Sequence, residues 1–297
     1  MLHEFAVEPK SLACWNPLWL ALEQFGIHHG RMISRFPKRW ERMVWDLLNQ
    51  CPQKQRWMLE ERLRRLKRKM IATGREFDPA KDWLANAEGA HAILPFRAII
   101  CAENALAAAH VLTGEQLHED NQLWKVAREC CVPRQAVDMA KCVAPVLSLA
   151  DEVLFVDPHF RPEQRFTEPL AEFLTAAHCR KRQLKRIEYH VAWVDWWSNF
   201  CNECERWLPH RIPVGLELRI VAWRERPRGE KLHPRYILTN VGGVRFEVGL
   251  DSGDSGQTCD VSLLDQDLYL KRWADFQLQT AAFDYKDELR ILGNSVL

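Results

Sequence analysis

The chain has 297 residues, of which 47% are hydrophobic and 27% are charged, a composition typical of a soluble globular protein with one or two domains. Its 41 Lys and Arg residues balance 40 Asp and Glu residues, so the overall charge excludes a global attraction to nucleic acid, to membranes or to acidic partners. Any charged interaction surface must therefore be local.

The sequence predicts a cytoplasmic protein without a membrane partner. No stretch approaches 18 uninterrupted apolar residues, and the start, MLHEFAVEPK, is acidic where a secretory signal would be basic and then apolar. The ten cysteines are scattered through a chain long enough to need no disulfides, so we expect buried free thiols. Cys201 and Cys204 have the spacing of a zinc-ligand pair, but a structural zinc site needs four ligands, and we predict no metal.

Residues 1–145 show mainly helical periodicity, broken by prolines, and we predict a helical, basic N-terminal region. The segment 52–73 gathers its apolar side chains on one stripe of a helix, formed by Leu59, Leu63, Leu66 and Met70. Two more helices are predicted, one over 78–84 with Asp78 as its N-cap and one over the Ala-rich segment 102–112.

Two basic stretches lie in this region, and the earlier one is interleaved with Phe36 and Trp40. Basic side chains track phosphates, and aromatic rings stack on bases, so nucleic acid is one interpretation. The alternative is a solvated helix face, or a surface that docks an acidic partner. On the first interpretation, the residues that bind nucleic acid are Arg35, Lys38, Arg39, Arg62, Arg64, Arg65 and Arg68.

Residues 146–297 alternate between strand and helix patterns, which predicts an α/β domain. The predicted strands are 152–156, which ends in Asp157-Pro158, then 187–193 and 216–222. A β-hairpin follows, with strands at 235–239 and 244–250 around the turn Asn240-Val-Gly-Gly243. Helices are predicted around 170–177, 196–208 and 267–280.

The start of the hairpin carries a candidate phosphate site. His233 and Arg235 are two residues apart on a predicted strand, so their side chains share one face. A guanidinium binds two phosphate oxygens, and an imidazole attacks phosphorus or moves a proton. The His-x-Arg pattern also occurs at residues 29–31, 159–161 and 178–180, so it is the hairpin context that distinguishes His233.

The C-terminal half, about residues 146–297, resembles the phospholipase D-like superfamily. That family carries His-x-Lys-x4-Asp on a hairpin strand, a glycine on the return strand, and an Asp-Pro followed by an aromatic residue near the start of the domain. The segment Phe155-Val-Asp-Pro-His-Phe160 matches the last feature. His233 falls at the nucleophile, Arg235 stands where the family has Lys, Asn240 stands where it has Asp, and Gly249 is near the glycine.

The resemblance implies a mixed sheet flanked by helices and a phosphodiesterase that uses neither a metal nor another cofactor. The basic helices suit a nuclease better than a lipase. Active members use two histidines, and the second would come from another copy in a homodimer, or from His159 or His190. Nucleases of this type often act in multi-gene defence against phage, which predicts a bacterial protein with operon-encoded partners.

A non-catalytic subunit is the alternative, because Asn240 lacks the charge that would orient or acidify a neighbouring group. Such a subunit would bind nucleic acid or a partner protein within a larger complex.

Overall fold

In a computed structural model of the protein, the described residues are 1–13, 16, 18–72, 74–104, 107–178 and 184–295. Helices and two β-sheets confirm the predicted α/β class. The chain divides into an N-terminal unit, Leu2–Arg128, and a C-terminal unit, Glu129–Leu297, with which Met1 is grouped. Within the described ranges, no helix is long and apolar enough to cross a membrane.

The N-terminal unit is built around a sheet in which all paired strands are parallel, in the order β3-β2-β1-β4-β5. Its strands are β1 (His3–Val7), β2 (Arg31–Ser34), β3 (Met70–Ile71), β4 (Ala98–Ile100) and β5 (Val111–Leu112). Its α-helices are α1 (Leu18–Ala21), α2 (Trp40–Leu48), α3 (Gln53–Leu66) and α4 (Trp83–Ile93). The connections from β1 to β2, from β2 to β3 and from β3 to β4 contain these helices, whereas the described residues between β4 and β5 form none.

Helices cover this sheet on both faces. Phe5 and Val7 of β1 join the apolar cluster that includes α2 and α3, while Ala6 joins a second cluster that includes α4. Alternate side chains of a strand point to opposite faces, so β1 is buried from both sides. The unit is a three-layer α/β structure.

The prediction of a helical N-terminal region is therefore incomplete: the helices are present, but the prediction missed the five-stranded sheet between them. Short parallel strands buried on both faces read as continuous apolar runs, which lack the alternation that identifies a half-buried strand. Segment 102–112 is not a helix in its described residues, and its last two form β5. The helix predicted from Asp78 begins later, with Asp82 as N-cap accepting a hydrogen bond from the Ala85 N–H at 2.9 Å.

The basic helix predicted over 52–73 is confirmed as α3, and its apolar stripe packs into the core. The helix ends at Leu66 and is followed by a short 3-10 turn, Lys67–Lys69, and by β3. Met70 therefore belongs to a strand and not to the helix, while Thr73 lies outside the described residues.

The C-terminal unit contains a mixed sheet in the order β13-β9-β8-β7-β10-β11-β12-β6. Its strands are β6 (Glu129–Pro133), β7 (Glu152–Val156), β8 (Arg186–Ala192), β9 (Glu217–Arg224), β10 (Arg235–Thr239), β11 (Gly242–Phe246), β12 (Thr258–Leu263) and β13 (Asp284–Leu292). Its α-helices are α5 (Ala136–Leu147), α6 (Gln164–His178), α7 (Trp197–Trp207) and α8 (Gln266–Asp275). The strands β7, β8 and β9 are parallel, and β10 pairs with β7 in the antiparallel sense.

The predicted strands, hairpin and helices of this half are confirmed within a few residues. The edge strands β6 and β13 and the strand β12 were not predicted. The unit also begins at Glu129, before the predicted boundary between residues 145 and 146. The physical reason is that β6 pairs with β12 and α5 packs against α6, so both elements belong to this sheet.

Candidate active site

Two histidines lie close together at the end of two neighbouring central strands, β7 and β10, of the C-terminal sheet. Strand β7 ends at Val156 and continues into Asp157-Pro158-His159, while β10 starts at Arg235 with Tyr236 opposite Val156. Because these strands are antiparallel, the residues before β10 lie beside the residues after β7. The ring centroids of His159 and His233 are 6.4 Å apart, and the ring planes meet at 86°. Both residues are exposed, so a ligand can reach both rings from solvent.

Asp157 organises the backbone next to this pair. Its carboxylate accepts hydrogen bonds from the backbone N–H of His159 and of Leu250, each at 3.0 Å. Burial raises the pKa of Asp157, although the two backbone hydrogen bonds and the charge of Arg235 act in the opposite direction. A buried carboxyl thus ties the loop that carries His159 to the loop that follows β11.

Arg235 is half-buried at the start of β10 and lines the same cleft as His233. Its Nε is buried, and the described residues supply no hydrogen-bond partner for it. A guanidinium with an unused N–H beside a histidine can hold the oxygens of an anionic ligand. The structure therefore brings these two predicted site residues together.

A second carboxylate, Asp251, is held by two arginines near Asp157. Arg134 donates to Asp251 Oδ1, and Arg165 Nη1 lies 3.6 Å from Asp251 Oδ2. Gly249 must be a glycine at this point, because a Cβ there would lie 2.3 Å from Asp251 Oδ1 and 3.5 Å from Asp157 Oδ2. The loop after β11 is therefore fixed by the contacts of Asp157 and Asp251 and by the close approach of its backbone at Gly249.

A cleft of about 710 Å³ opens beside His233. Its walls include Arg235, Arg245 and Arg272, and the carboxylates of Glu129, Glu247 and Asp260. This volume lies within the range of about 300–1,000 Å³ that is usual for small-molecule sites. The cleft can therefore hold a ligand of the size of one or two nucleotides next to His233.

Asn240, the third predicted catalytic residue, is not part of this arrangement. It follows the last residue of β10, whereas His233 precedes the first, and it does not line the cleft. Its side-chain oxygen accepts hydrogen bonds from the backbone N–H of Asp151 at 2.9 Å and of Glu152 at 3.2 Å. These bonds satisfy two backbone N–H donors at the start of β7. Asn240 thus has a structural role at the hairpin turn, which corrects the prediction that it is catalytic.

His190 does not supply a second accessible imidazole either. It is 0% exposed, and the indole Nε1–H of Trp223 donates to its Nδ1 at 2.8 Å. Its Nε2 lies 3.2 Å from Glu188 Oε2. Of the two in-chain candidates for the second histidine, the structure therefore places His159, and not His190, beside His233.

Glu188 is the centre of a buried charge cluster around His190. Its carboxylate lies 2.6 Å from Arg186 Nη2 and 3.0 Å from Arg219 Nη1. Although burial opposes the shift, the contacts with His190 and Arg186 lower the pKa of Glu188 to about 2. Burial lowers the pKa of His190. This cluster joins β8 to β9 and belongs to the interior of the unit.

The predicted nucleic-acid-binding residues are distributed over two places in the N-terminal unit. Phe36 and Trp40, predicted to stack on bases, are 1% and 0% exposed, so they belong to the core and this part of the prediction is wrong. Several of the basic residues pair with carboxylates: Arg35 with Glu41, Arg62 with Glu23, and Arg64 and Arg65 with Glu61. Within the described ranges, no carboxylate lies at ion-pair distance from Lys38, Arg39 or Arg68, which are exposed.

An exposed aromatic residue that the sequence analysis did not select lies on the basic helix. Trp57 is 64% exposed and shares one side of α3 with Lys54, Glu61, Arg64 and Arg65, at spacings of three and four residues. The helical spacing alone could have identified Trp57 as exposed. Its position is not three or four residues from Leu59, Leu63 or Leu66, so it lies off the buried stripe.

No metal site is visible in the part of the chain that the structure describes, where no group of three or more His, Cys, Asp or Glu side chains could hold an ion. Cys204 is buried in α7 and Cys201 is partly buried, and burial raises the pKa of both thiols. Protonated thiols on one helix are poor zinc ligands.

No protein-family model matches this chain, and no curated protein matches it either.

Proposed function

We propose that the C-terminal unit is a phospholipase D-like phosphodiesterase that cleaves nucleic acid without a metal ion. The observation that carries this proposal is the contact of His159 with His233 at 6.4 Å between ring centroids. The resemblance calls for two imidazoles, and this pair offers both within one chain. Arg235 lines the cleft together with His233, and its guanidinium offers donors for the phosphate oxygens.

In the first step of the proposed reaction, a ring nitrogen of neutral His233 attacks phosphorus. The bond from phosphorus to the leaving oxygen breaks, and protonated His159 gives its proton to that oxygen. In the second step, water attacks the phosphohistidine while His159, now neutral, accepts a proton from it. The phosphorus–nitrogen bond breaks and its electron pair returns to His233, so both histidines regain their starting states.

The distance between the rings suits this reaction. Reacting atoms in a near-attack arrangement are about 3–3.5 Å apart, so a phosphoryl group between two catalytic nitrogens needs roughly twice that separation. The ring centroids of His159 and His233 are 6.4 Å apart, and both side chains are exposed, so rotation of the rings can bring one nitrogen of each to the same phosphodiester. Asp157 is a positioning residue in this scheme, because it holds the backbone of His159 and contacts neither ring.

The exposed side of α3 supports nucleic acid as the substrate. Lys54, Arg64 and Arg65 are exposed there together with Trp57, and Arg68 is exposed in the short 3-10 turn that follows the helix. Basic side chains that follow a phosphate backbone and an aromatic ring that stacks on a base are the two components of single-strand binding. With the resemblance, this favours a nuclease over a lipase.

A non-catalytic subunit that binds nucleic acid or a partner is the second candidate, and one observation favours it. Within the described residues, no side chain donates to or accepts from a ring nitrogen of His159 or His233. The histidines thus lack an orienting carboxylate, and Asn240 does not reach them. On the resemblance alone, either form would act in the cytoplasm, in a bacterial phage-defence system with operon-encoded partners.

The proposal is tested by incubating the full-length protein with labelled single- and double-stranded DNA and RNA in the presence of EDTA. We expect cleavage of at least one substrate, because neither step requires a Lewis acid. Reactions quenched by denaturation at alkaline pH, where a phosphorus–nitrogen bond survives, should carry a nucleotidyl adduct on His233 when analysed by mass spectrometry. Binding of nucleic acid without cleavage, unchanged in His233→Ala, would establish the non-catalytic alternative.

Charge reversal of Arg64, Arg65 and Arg68 to Glu is expected to weaken binding of single-stranded nucleic acid by at least about tenfold, because each arginine displaces counterions from the phosphate backbone. The slope of log K against log salt should fall by roughly two, at about 0.7 for each lost contact on a single strand. Fluorescence anisotropy at several salt concentrations measures both quantities.

The matched control reverses Lys81, Lys125 and Lys141, which are exposed and lie outside α3. It changes the net charge by the same amount. Equal weakening by the two triple variants would show that α3 has no special role in binding.

A further inference from the structure

The N-terminal strands form a crevice that the proposed phosphodiesterase does not use. The chain builds outward from β1 to β2 and β3, and then returns to place β4 and β5 on the other side of β1. The loops that follow β1 and β4 therefore leave the sheet in different directions. In parallel α/β sheets, ligands bind in the crevice that opens at this reversal, outside the carboxyl ends of the strands.

A cavity of about 680 Å³ lies at this place in the N-terminal unit. Ser11, from the loop after β1, lines it together with Cys101 and Glu103, from the loop after β4, and Thr113 and Glu115, from the loop after β5. All three loops follow the carboxyl ends of parallel strands. The volume is that of a small-molecule site, for which about 300–1,000 Å³ is usual.

Glu8 connects the two sides of the reversal. It is the first residue after β1, and its Oε2 accepts hydrogen bonds from the Ser11 hydroxyl at 2.7 Å and from the backbone N–H of Ala102 at 3.2 Å. Ser11 is buried and Ala102 lies directly after Cys101. A carboxylate is thus fixed behind the crevice wall by groups from both loops, which makes the site preorganised.

The crevice has a negative lining. Among the described residues that line it, Glu103 and Glu115 are acidic and none is Lys, Arg or His. Burial, together with the negative charges of Glu8 and Glu88, raises the pKa of Cys101 to about 12, so this thiol stays protonated. A cleft lined by charges of one sign attracts the opposite charge.

Phosphate groups are disfavoured in the crevice. In dinucleotide sites, a glycine-rich loop after the first strand and the N-terminus of a long helix supply backbone N–H donors to the phosphates. Here the residues after β1 are Glu8 and Pro9, and the chain continues as a short 3-10 helix, Pro9–Leu12. Both the lining charge and the loop chemistry therefore exclude a nucleotide phosphate as the preferred ligand.

We infer that this crevice binds a small organic cation, whose ammonium or guanidinium group faces Glu103 and Glu115 while its carbon chain packs near Leu18. An organic cation fits better than a bare metal ion, because within the described ranges no three potential metal-ligating side chains come together. Leu18 is buried and supplies an apolar wall. The site is separate from the histidine pair in its residues and in its chemistry.

The inference is tested by isothermal titration of the full-length protein with agmatine and spermidine, at low and at physiological salt, with ATP and adenosine as comparators. We expect saturable binding of at least one amine that saturating ATP does not displace, because ATP would occupy the cleft beside His233 and not this crevice. The double variant Glu103→Gln, Glu115→Gln should weaken amine binding by about tenfold, because two carboxylates lose their charge. The matched double variant Glu203→Gln, Glu205→Gln removes two exposed carboxylates of α7 and should leave binding unchanged.

A steric variant separates the crevice from a general effect of charge. Gly114 lines the crevice, and a Cβ there would meet no atom within 4 Å, so Gly114→Trp adds an indole at the crevice wall without a backbone or side-chain clash at its Cβ. We expect it to abolish amine binding without lowering the melting temperature. The inference would be overturned if ATP displaced the bound amine or if no amine bound saturably. It would also be overturned if both double variants weakened binding equally, or if Gly114→Trp bound the amine as well as the wild type.

Discussion

Replacing His233 with alanine is expected to lower the rate of phosphodiester cleavage on the order of 10⁴-fold or more, for every substrate, because a lost nucleophile removes the covalent route. Replacing His159 with alanine should lower the rate by about 10²–10⁴-fold on nucleic acid, which has a poor leaving group. A p-nitrophenyl phosphodiester of a nucleoside has a leaving group that needs no proton, so the rate of phosphorylation of His159→Ala should approach that of the wild type.

Single-turnover kinetics on both substrates separates these roles. The wild type should cleave both substrates, His159→Ala should retain cleavage of the p-nitrophenyl substrate alone, and His233→Ala should cleave neither. His178→Ala, which removes a histidine at the end of α6, is the control and should behave as the wild type. If the p-nitrophenyl substrate rescues His233→Ala instead, the two histidines have the opposite roles; if neither variant loses activity, the histidine pair is not the active site.

Replacing Glu188 with glutamine is expected to lower the free energy of unfolding of the C-terminal unit by about 2–3 kcal/mol at neutral pH. Breaking a fully buried ion pair costs about 3–5 kcal/mol, and the expected value is smaller here because Arg186 and Arg219 keep partial access to water. Glu188 itself is 2% exposed, whereas the arginine side chains are 27% and 22% exposed. Urea unfolding, monitored through the hydrogen-exchange protection of β8 and β9, measures the change in the free energy of unfolding.

The pH dependence of this loss follows from the low pKa of Glu188. The pKa is about 2 in the folded protein, against an ordinary value of 4.5, so the unfolded chain takes up the proton first on acidification. The stabilisation is therefore fully present above about pH 4.5 and is lost as the pH falls towards 2. The difference between wild type and Glu188→Gln should shrink over this range.

Glu203→Gln, an exposed position on α7, provides the control and should change the free energy of unfolding by less than about 0.5 kcal/mol. A Glu188→Gln variant that is as stable as the wild type at neutral pH would contradict the interpretation of this cluster as a stabilising centre.

The fold of the C-terminal unit was largely predictable because its strands are separated by clear turn signals. Strand β7 is a compact apolar run that ends at Asp157-Pro158, and β10 and β11 are joined by a glycine-containing turn. The edge strands escaped prediction for a physical reason. β13 is rich in charged residues and is held mainly by its pairing with β9, and β6 joins the sheet only through β12.

The parallel sheet of the N-terminal unit was not predictable from periodicity. β3 and β5 are two residues long, and β4 consists of three buried apolar residues. In β1, the half-buried His3 and Glu4 are adjacent and precede three buried apolar residues, so polar and apolar residues do not alternate. The strand order, and with it the crevice at the carboxyl ends, arises from pairings between segments far apart in the chain.

By itself, the sequence determined the α/β class, the hairpin that carries His233 and Arg235, and the basic character of α3, because each depends on residues that are close together in the chain. Only the tertiary structure decided which histidine accompanies His233. His159 follows the buried strand β7, and His190 lies within the buried strand β8. The antiparallel pairing of β10 with β7 brings His159 to the surface beside His233. In contrast, Trp223 and Glu188 enclose His190 in the interior. The same pairing separates Asn240 from the site, because a residue at the far end of a strand cannot reach a ligand at its start.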